Sequence, residues 1–274
     1  MEKARNFFLK IFKILIKPEM RILPGQLAFF IVMTLIPLVA LVATVAAALS
    51  ISTDSIRLAI SGAVPKEVAN IINTIMTGNG INFNIMVFYI SALILASNGP
   101  YSMINVSNEI YKVKPNTIIK RRIKALGMTF MMLILFLFLL LVPVFGKTVY
   151  TIIQESTNNE NLLNAFHNVI SILKYPIIIL VLFISTRLMF VISPDQDIPK
   201  ETTTKGALFT TIGWILSTEV FSFYIGHFAR YDIFYGSISN ILVLLLWVYL
   251  LSYIYVLGMV INASNYKNEE ETTN

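Results

Sequence analysis

Apolar residues in this sequence gather into six long runs, separated by short segments that carry most of the charge. A helix needs about 20 largely apolar residues to cross the ~30 Å hydrocarbon layer of a membrane, and each run reaches that length. The pattern therefore predicts an all-α polytopic membrane protein with six transmembrane helices. The predicted spans cover residues 27–50, 83–104, 125–150, 168–192, 206–228 and 237–262.

The composition agrees with a membrane protein and excludes a soluble domain. Hydrophobic residues make up 56% of the 274 residues and charged residues 13%, compared with about 45–50% and about 25% in soluble domains. The mean hydropathy is +0.74, so one aqueous core could not bury the apolar surface. Cysteine is absent, which excludes disulfides and thiolate chemistry, and only His167 and His227 offer imidazole. We expect neither a metal nor another cofactor.

Lysine and arginine are distributed unequally between the two sides of the predicted membrane. The segment before the first span, the loops after the second and fourth spans and the tail together hold fifteen, whereas the opposite side holds four. Cytoplasmic loops retain the positive residues, so both termini are predicted to be cytoplasmic. Anionic lipid headgroups at that face account for the net charge of +6. Nucleic acid is not needed as a partner.

Three segments outside the spans have their own character. Residues 1–26 form a basic amphipathic segment, predicted to lie as a helix on the cytoplasmic leaflet. After Pro65 in the outer loop, an apolar stripe predicts a short amphipathic helix packed across the bundle. Residues 263–274 are short, charged and predicted to be disordered. Residues 27–262 form the transmembrane domain.

Glu219 is the most distinctive polar residue within the apolar predicted spans. It lies 13 residues into the fifth span, roughly 20 Å from the cytoplasmic end. Tyr249 lies at a similar depth in the sixth span, and its hydroxyl is the first candidate partner. An intramembrane carboxylate is by default a functional candidate. The alternative, weighed evenly, is that the pair only holds two helices together.

A second polar group lies in the cytoplasmic half and exit of the second span. Gly99 and Pro100 interrupt the helical pattern there, so backbone carbonyls are expected to be free beside side-chain amides. The first span carries Gln26, Thr34 and Pro37 in the same half. These residues predict a polar vestibule, or alternatively a kinked helix with amides that hold neighbours. The second-span members are Ser97, Asn98, Asn105, Asn108 and Glu109.

A third group forms the outer corner before the last span. The favoured interpretation is that Arg230 and Asp232 form a solvated ion pair and that the aromatic side chains anchor the corner at the membrane interface. Substrate recognition is the less favoured alternative. As a hypothesis, it forms an outer mouth that consists of His227, Arg230, Tyr231, Asp232 and Tyr235.

Several motifs resemble those of the YihY/BrkB family of inner membrane proteins. They are the run GQLAFFIVMTLIPL at 25–38, the run ASNGPYSMINVSNEIYKV at 96–113, and most of residues 206–263. The resemblance implies six spans in the cytoplasmic membrane of a bacterium. It does not include Glu219. The positions that match family motifs are Asn98, Asn105, Tyr111, Trp214, Tyr224, Gly236, Trp247, Tyr249, Gly258 and Asn262.

The family has carried names that suggest ribonuclease BN activity and virulence. A metal-dependent nuclease needs several histidine and carboxylate ligands at one site. The two histidines here are predicted to lie on the outer side, away from cytoplasmic RNA. We therefore do not expect ribonuclease activity, and we do not expect an enzyme.

The leading functional hypothesis is a transporter or flippase-like protein for an amphipathic or lipid-linked substrate in envelope biogenesis. A non-transporting scaffold or regulator of envelope assembly is the alternative. A lipid-phosphate enzyme is third, because Lys120, Arg121, Arg122 and Lys124 supply only a phosphate clamp. The sequence does not decide the oligomeric state. The hypothetical substrate pathway consists of Gln26, Asn98, Asn105, Asn108, Trp214, Glu219, Tyr224, Trp247 and Tyr249.

Overall fold

Helices account for every regular element in the part of the chain that the structure, a computed structural model, describes. The described residues are 19–48, 66, 69–70, 85–135, 137, 160–227 and 236–273. The α-helices are α1 (Glu19–Ala48), α2 (Ile85–Ala96), α3 (Asn98–Tyr111), α4 (118–135), α5 (Glu160–Ile192), α6 (Thr204–His227) and α7 (Ser239–Thr273). Short 3₁₀ turns at Lys200–Thr203 and Gly236–Ile238 precede α6 and α7.

Three of these helices are long and apolar enough to cross a membrane. The qualifying segments are Ile22–Val39, Lys200–His227 and Ser239–Ser264, and Pro176–Ile192 is a shorter apolar helix. They correspond to the predicted first, fifth and sixth spans, and Pro176–Ile192 corresponds to part of the fourth. The third span continues beyond the described residues. The all-helical class is therefore confirmed for the described part, and the total of six spans stays a prediction.

The ends of the chain differ from the sequence-based boundaries. Helix α1 begins at Glu19, so residues 19–26 are helical and continuous with the first predicted span. The interfacial position of residues 1–26 stays a prediction. Residues 1–18 and nearly all of the predicted outer helix lie outside the described residues. At the other end α7 runs without a break to Thr273, although residues 263–274 are predicted to be disordered. Tyr266 in this extension packs against the core, which helps to explain the continued helix.

The second predicted span is broken, but not at the residue that the proline suggests. The break is a single-residue turn at Ser97 between α2 and α3. The Ser97 N–H still donates to the Leu93 carbonyl at 3.0 Å, and its carbonyl accepts from the Tyr101 N–H at 2.9 Å, so the interruption is a local kink and not an unwound segment. Gly99 and Pro100 lie in the first turn of α3 instead. A proline is tolerated there because the N–H that it lacks would have no partner within the helix.

Helix α7 forms the centre of the bundle and packs most extensively against α6 and α1. A single large core cluster includes residues from α1, α3, α4, α5, α6 and α7, with Leu27, Ile104 and Met259 fully buried. In the middle of this cluster the Tyr255 ring stacks on Phe190 and on Trp214. This end of the bundle is therefore rigidly packed, and it is also the end that carries the charged loops.

Glycines bring α6 and α7 into close contact. A Cβ atom on Gly206 would overlap the Gly258 carbonyl oxygen and the Asn262 side chain. The Gly206 N–H donates to Asn262 Oδ1 at 2.7 Å, so the amide fixes the crossing. Small residues let helix backbones approach closely in a membrane, where packing and interhelical hydrogen bonds drive association.

Candidate functional site

The helix break at Ser97 is held by a side chain from the first helix. Thr34 is buried, and its Oγ1 accepts a hydrogen bond from the Gly99 N–H at 2.8 Å while donating to the Phe30 carbonyl at 2.7 Å. The first N–H groups of a helix have no partner within it, and Thr34 supplies one for α3. The break is therefore a built feature that joins α1 to α3.

Two arginines from the start of α4 lie beside this break. Arg122 Nη1 donates to Ser97 Oγ and to Asn98 Oδ1, each at 2.9 Å. Arg121 donates from Nη1 to Asn105 Oδ1 and from Nε to the Asn116 carbonyl. All four acceptors are neutral, so these bonds orient the two guanidinium groups without neutralising them.

Tyr101 lies next to both arginines. Its ring centroid is 4.9 Å from Arg122 Cζ and 5.3 Å from Arg121 Cζ. A cation near the face of an aromatic ring is attracted by the ring quadrupole. Tyr101 therefore helps to hold two like charges within about 10 Å of each other.

A separate ion pair joins the loop after α5 to α4. Lys124 Nζ lies 3.2 Å from Asp195 Oδ1, and the Asp195 side chain is only 1% exposed. Asn108 Nδ2 donates to Asp195 Oδ2 at 2.7 Å, and the Asp195 N–H returns a bond to Asn108 Oδ1 at 2.8 Å. The Asn116 N–H adds a third donor to this carboxylate at 3.0 Å.

These contacts set the charge state of Asp195. Burial by itself raises the pKa of the carboxyl. The hydrogen bonds from Asn116, Asn108 and Lys124, with the charge of Lys124, outweigh burial and hold the pKa below its ordinary value of 3.8. Asp195 is therefore an anion at neutral pH, and its charge compensates Lys124.

We call the whole set the charged loop network. It contains three cations and one carboxylate, so it carries an excess of two positive charges. Its members are Asn98, Asn105, Asn108, Arg121, Arg122, Lys124 and Asp195.

Three of the predicted vestibule residues, all asparagines, belong to this network. The side-chain oxygens of Asn98, Asn105 and Asn108 each accept a hydrogen bond from another described residue. Gln26 is half-buried on α1, and Glu109 is exposed on α3. The three amides thus bond neighbouring segments, and two of them, Asn98 and Asn105, accept from arginines. Their place in a substrate pathway stays a prediction.

Glu219 and Tyr249 are both among the described residues, and no hydrogen bond joins them. Glu219 is exposed on α6, and Tyr249 is 43% exposed on α7, where its ring lies 6.2 Å from the Tyr253 ring. The α6–α7 contact at that depth is made by Trp247, whose Nε1 donates to Thr218 Oγ1 at 3.3 Å. Thr218 faces α7, and Glu219 is rotated from it by about 100° around the helix.

Trp214 makes a second bond across the same pair of helices. Its Nε1 donates to the Leu251 carbonyl at 2.9 Å, and its ring stacks on Tyr255. Both tryptophans of the chain therefore connect α6 to α7. These bonds supply a packing role for two residues of the hypothetical substrate pathway.

Tyr224, another pathway residue, lines an open apolar groove along α6 and α7. The groove has a volume of about 490 Å³. Its lining runs over about 11 residues of α6, and it covers the half of that helix that is far from Thr204. The lining residues are Gly213, Leu216, Ser217, Val220, Phe221, Tyr224 and Leu250.

Only one residue of the hypothetical outer mouth is described. His227 ends α6, is exposed, and stacks on Phe223 with 4.4 Å between ring centroids. Arg230, Tyr231, Asp232 and Tyr235 lie outside the described residues. Within the described part, no group of three His, Cys, Asp or Glu side chains could hold a metal ion.

Sequence reasoning missed Asp195 and gave Arg121 and Arg122 only the role of topology signals or a clamp. The usable signal was the Ser-Pro-Asp sequence directly after the fourth span, where a carboxylate close to the membrane needs a cation. Its partner Asn108 lies 87 residues away. Spacing along the chain could not identify that pair.

Comparison with known proteins gives a consistent picture. A family model described as virulence factor BrkB matches residues 16–274. A ribonuclease-like protein of Bacillus subtilis (strain 168), YfkH, is 32% identical over 250 residues, which cover 90% of each chain. A UPF0761 membrane protein of Vibrio atlanticus (strain LGP32) is 25% identical over 261 residues, covering 90% of this chain and 78% of the relative.

A UPF0761 membrane protein of Vibrio parahaemolyticus, VP0125, is 28% identical over 206 residues, 75% of this chain and 60% of the relative. No solved structure matches the chain. The match to the family model extends over nearly the whole sequence, and the relatives include proteins named as membrane proteins. This chain therefore belongs to the virulence factor BrkB family of membrane proteins.

Proposed function

We propose that the protein is a transporter or flippase-like protein that moves an amphipathic or lipid-linked substrate in envelope biogenesis. In this proposal it crosses the cytoplasmic membrane of a bacterium six times, with both termini in the cytoplasm. It acts without a cofactor and is not an enzyme. The membrane family and the apolar helices support the location, and the asymmetry of lysine and arginine supports the orientation.

The observation that carries the proposal is the broken helix with an arginine beside it. The break is one residue long, a smaller departure than the unwound helices of transporters, but irregular backbone at membrane depth is tolerated only beside protein or a cavity. Here the break at Ser97 meets the Arg122 guanidinium, whose two acceptors are uncharged. A cation held in this way is suited to the polar end of an amphipathic substrate.

The groove along α6 and α7 is suited to the apolar end. At 1.5 Å per residue, its lining begins about 14 Å from Thr204 with Gly213 and ends about 30 Å away with Tyr224. Its walls are almost entirely apolar, and it is open along its length. A chain in this groove would cross the half of the membrane that is distant from the charged loop network.

Reconstitution into vesicles that contain a fluorescent anionic lipid tests the proposal. We expect the parent protein to accelerate interleaflet movement, and Val220→Trp, which narrows the groove, to slow it severalfold. Leu208→Trp is the matched control, since Leu208 is exposed on α6 but does not line the groove. Equal rates for protein-free vesicles and parent vesicles would refute transport.

One observation favours the scaffold as the second candidate. The Asn98 side chain bonds Arg122, whereas Glu219 and Tyr249 are exposed on α6 and α7 with no hydrogen bond between them in the described part of the chain. A scaffold would tolerate Val220→Trp and Leu208→Trp equally and would leave lipid movement unchanged. The same vesicle experiment therefore separates the two candidates.

A further inference from the structure

We infer that Arg121, Arg122 and Tyr101 form a binding site for the phosphate group of an anionic lipid. The inference deepens the proposed function, on which it rests, by naming the chemical class of the substrate's polar end. It assigns to two arginines at the start of α4 a recognition role in addition to their part in topology.

The first argument is the distribution of charge within the charged loop network. Lys124 has its own carboxylate, Asp195, at 3.2 Å. In the described residues no carboxylate lies within 4 Å of either guanidinium group, and the exposed Glu109 on neighbouring α3 pairs with neither. Two positive charges, each within 5.3 Å of the Tyr101 ring centroid, are thus left for an external anion to compensate.

The second argument is geometric. The described bonds use Nη1 of both arginines and Nε of Arg121. Among the described residues, no hydrogen bond uses Nη2 of either arginine or Nε of Arg122. Guanidinium groups bind phosphate through paired donors of this kind, and a group that is already oriented loses less freedom on binding. Both arginines are half-buried, so an anion can still reach them.

The third argument concerns the source of the phosphate. On the same first turns of α4, three isoleucines are exposed, Ile118 at 69%, Ile119 at 72% and Ile123 at 64%. Exposed apolar side chains beside cations are typical of a surface in contact with the membrane interface. An intact lipid can pair its phosphate with the arginines and place its acyl chains against the isoleucines. A soluble phosphate can pair only with the arginines.

Native mass spectrometry of the purified full chain in detergent tests the site directly. The lipid probe is phosphatidylglycerol, with phosphatidylcholine as the zwitterionic comparison. Inorganic phosphate and glycerol phosphate are the soluble arms. We expect phosphatidylglycerol to bind more tightly than the other three probes.

The decisive variant is Arg121→Gln with Arg122→Gln, and its matched control is Lys114→Gln with Lys120→Gln. Both pairs remove two positive charges from the same segment, and the two lysines are exposed. We expect the arginine pair to weaken phosphatidylglycerol binding at least tenfold, and the lysine pair less than about threefold. Equal weakening by the two pairs would overturn the site, because it would show attraction by net charge alone.

Two further measurements keep the outcome interpretable. Arg122 holds the helix break, so the single variant Arg121→Gln is tested beside the pair, with thermal midpoints compared to the parent. Unchanged lipid binding in a folded Arg121→Gln protein would also overturn the site. Selective lipid binding without interleaflet movement in vesicles would support the site and refute transport. Movement with no arginine-dependent binding would refute the site alone.

Discussion

The crossing of α6 and α7 allows a quantitative test of the fold. A Cβ atom on Gly258 would overlap Thr210 Oγ1 and lie 2.8 Å from the Gly206 carbonyl oxygen. Thr210 and Gly206 belong to the facing helix, so a new methyl group can be accommodated only if the two helices separate. We therefore expect Gly258→Ala to destabilise the protein, even though alanine is the better helix former.

Two free-energy terms of opposite sign determine the size of this effect. Alanine is favoured over glycine by about 1 kcal/mol in a helix interior. Overpacking typically costs about 1–3 kcal/mol, and overlap with backbone of a packed helix belongs at the upper end of that range. The expected net loss is about 1–2 kcal/mol. For a chain of this size that lowers the melting temperature by roughly 2–8 °C.

Thermal unfolding in detergent, followed by circular dichroism, measures the change. Gly127→Ala on α4 is the control, since a Cβ atom there meets nothing within 4 Å, and we expect an equal or higher melting temperature. Thr210→Ala removes the atom that would overlap and should recover part of the loss in the double variant. If Gly258→Ala melted at or above the parent temperature, the close crossing would be refuted.

Two predictions concern the loops and the helix break. Thr34→Val leaves the buried Gly99 N–H without its acceptor and should lower the free energy of unfolding by about 1–3 kcal/mol. Thr34→Ser keeps the hydroxyl and should lower it clearly less. Comparison of the two melting temperatures checks this prediction. Because the pKa of Asp195 is held below 3.8, its carboxylate contributes stability above that pH, and the contribution is lost as the pH falls through the folded-state pKa. Asp195→Asn should therefore be less stable than the parent at pH 7 by about 1–3 kcal/mol, and the difference should shrink towards pH 3. A constant difference across that range would contradict the assigned role.

Hydropathy alone placed the fifth predicted span to within two residues of the observed helix at each end. The fifth span, expected at 206–228, is observed as Thr204–His227, because its ends coincide with a charged loop and an aromatic corner. The start of the last helix, expected at 237, is observed at Ser239. The end of this helix was expected at 262 and is observed at Thr273. Hydropathy could not predict the extension, because Tyr266 packs against a core that other helices form.

Helix rotation could not be predicted from depth. Glu219 and Tyr249 lie at similar distances along their helices from the end of the bundle that carries the charged loop network, yet a helix turns by about 100° per residue. The structure turns Thr218 and Trp247 towards each other and leaves both predicted partners exposed. Depth gives the position of a residue along the helix axis, whereas the direction in which its side chain points around that axis is determined by helix packing. The close approach of Gly206 to Gly258 and the hydrogen bond from Gly206 to Asn262 set that packing.

Positive residues near the membrane fall into three physical classes here, although a count of loop charges treats them alike. Lys114 and Lys120 are exposed, Lys124 is paired with Asp195, and Arg121 and Arg122 are oriented by neutral acceptors. Orientation in the membrane depends on the number of such charges and not on their partners. Exchanging Arg121 and Arg122 for lysine therefore preserves the topology signal while removing the paired donors. A role in topology and a role in recognition can thus coexist in the same residues, and that exchange separates them.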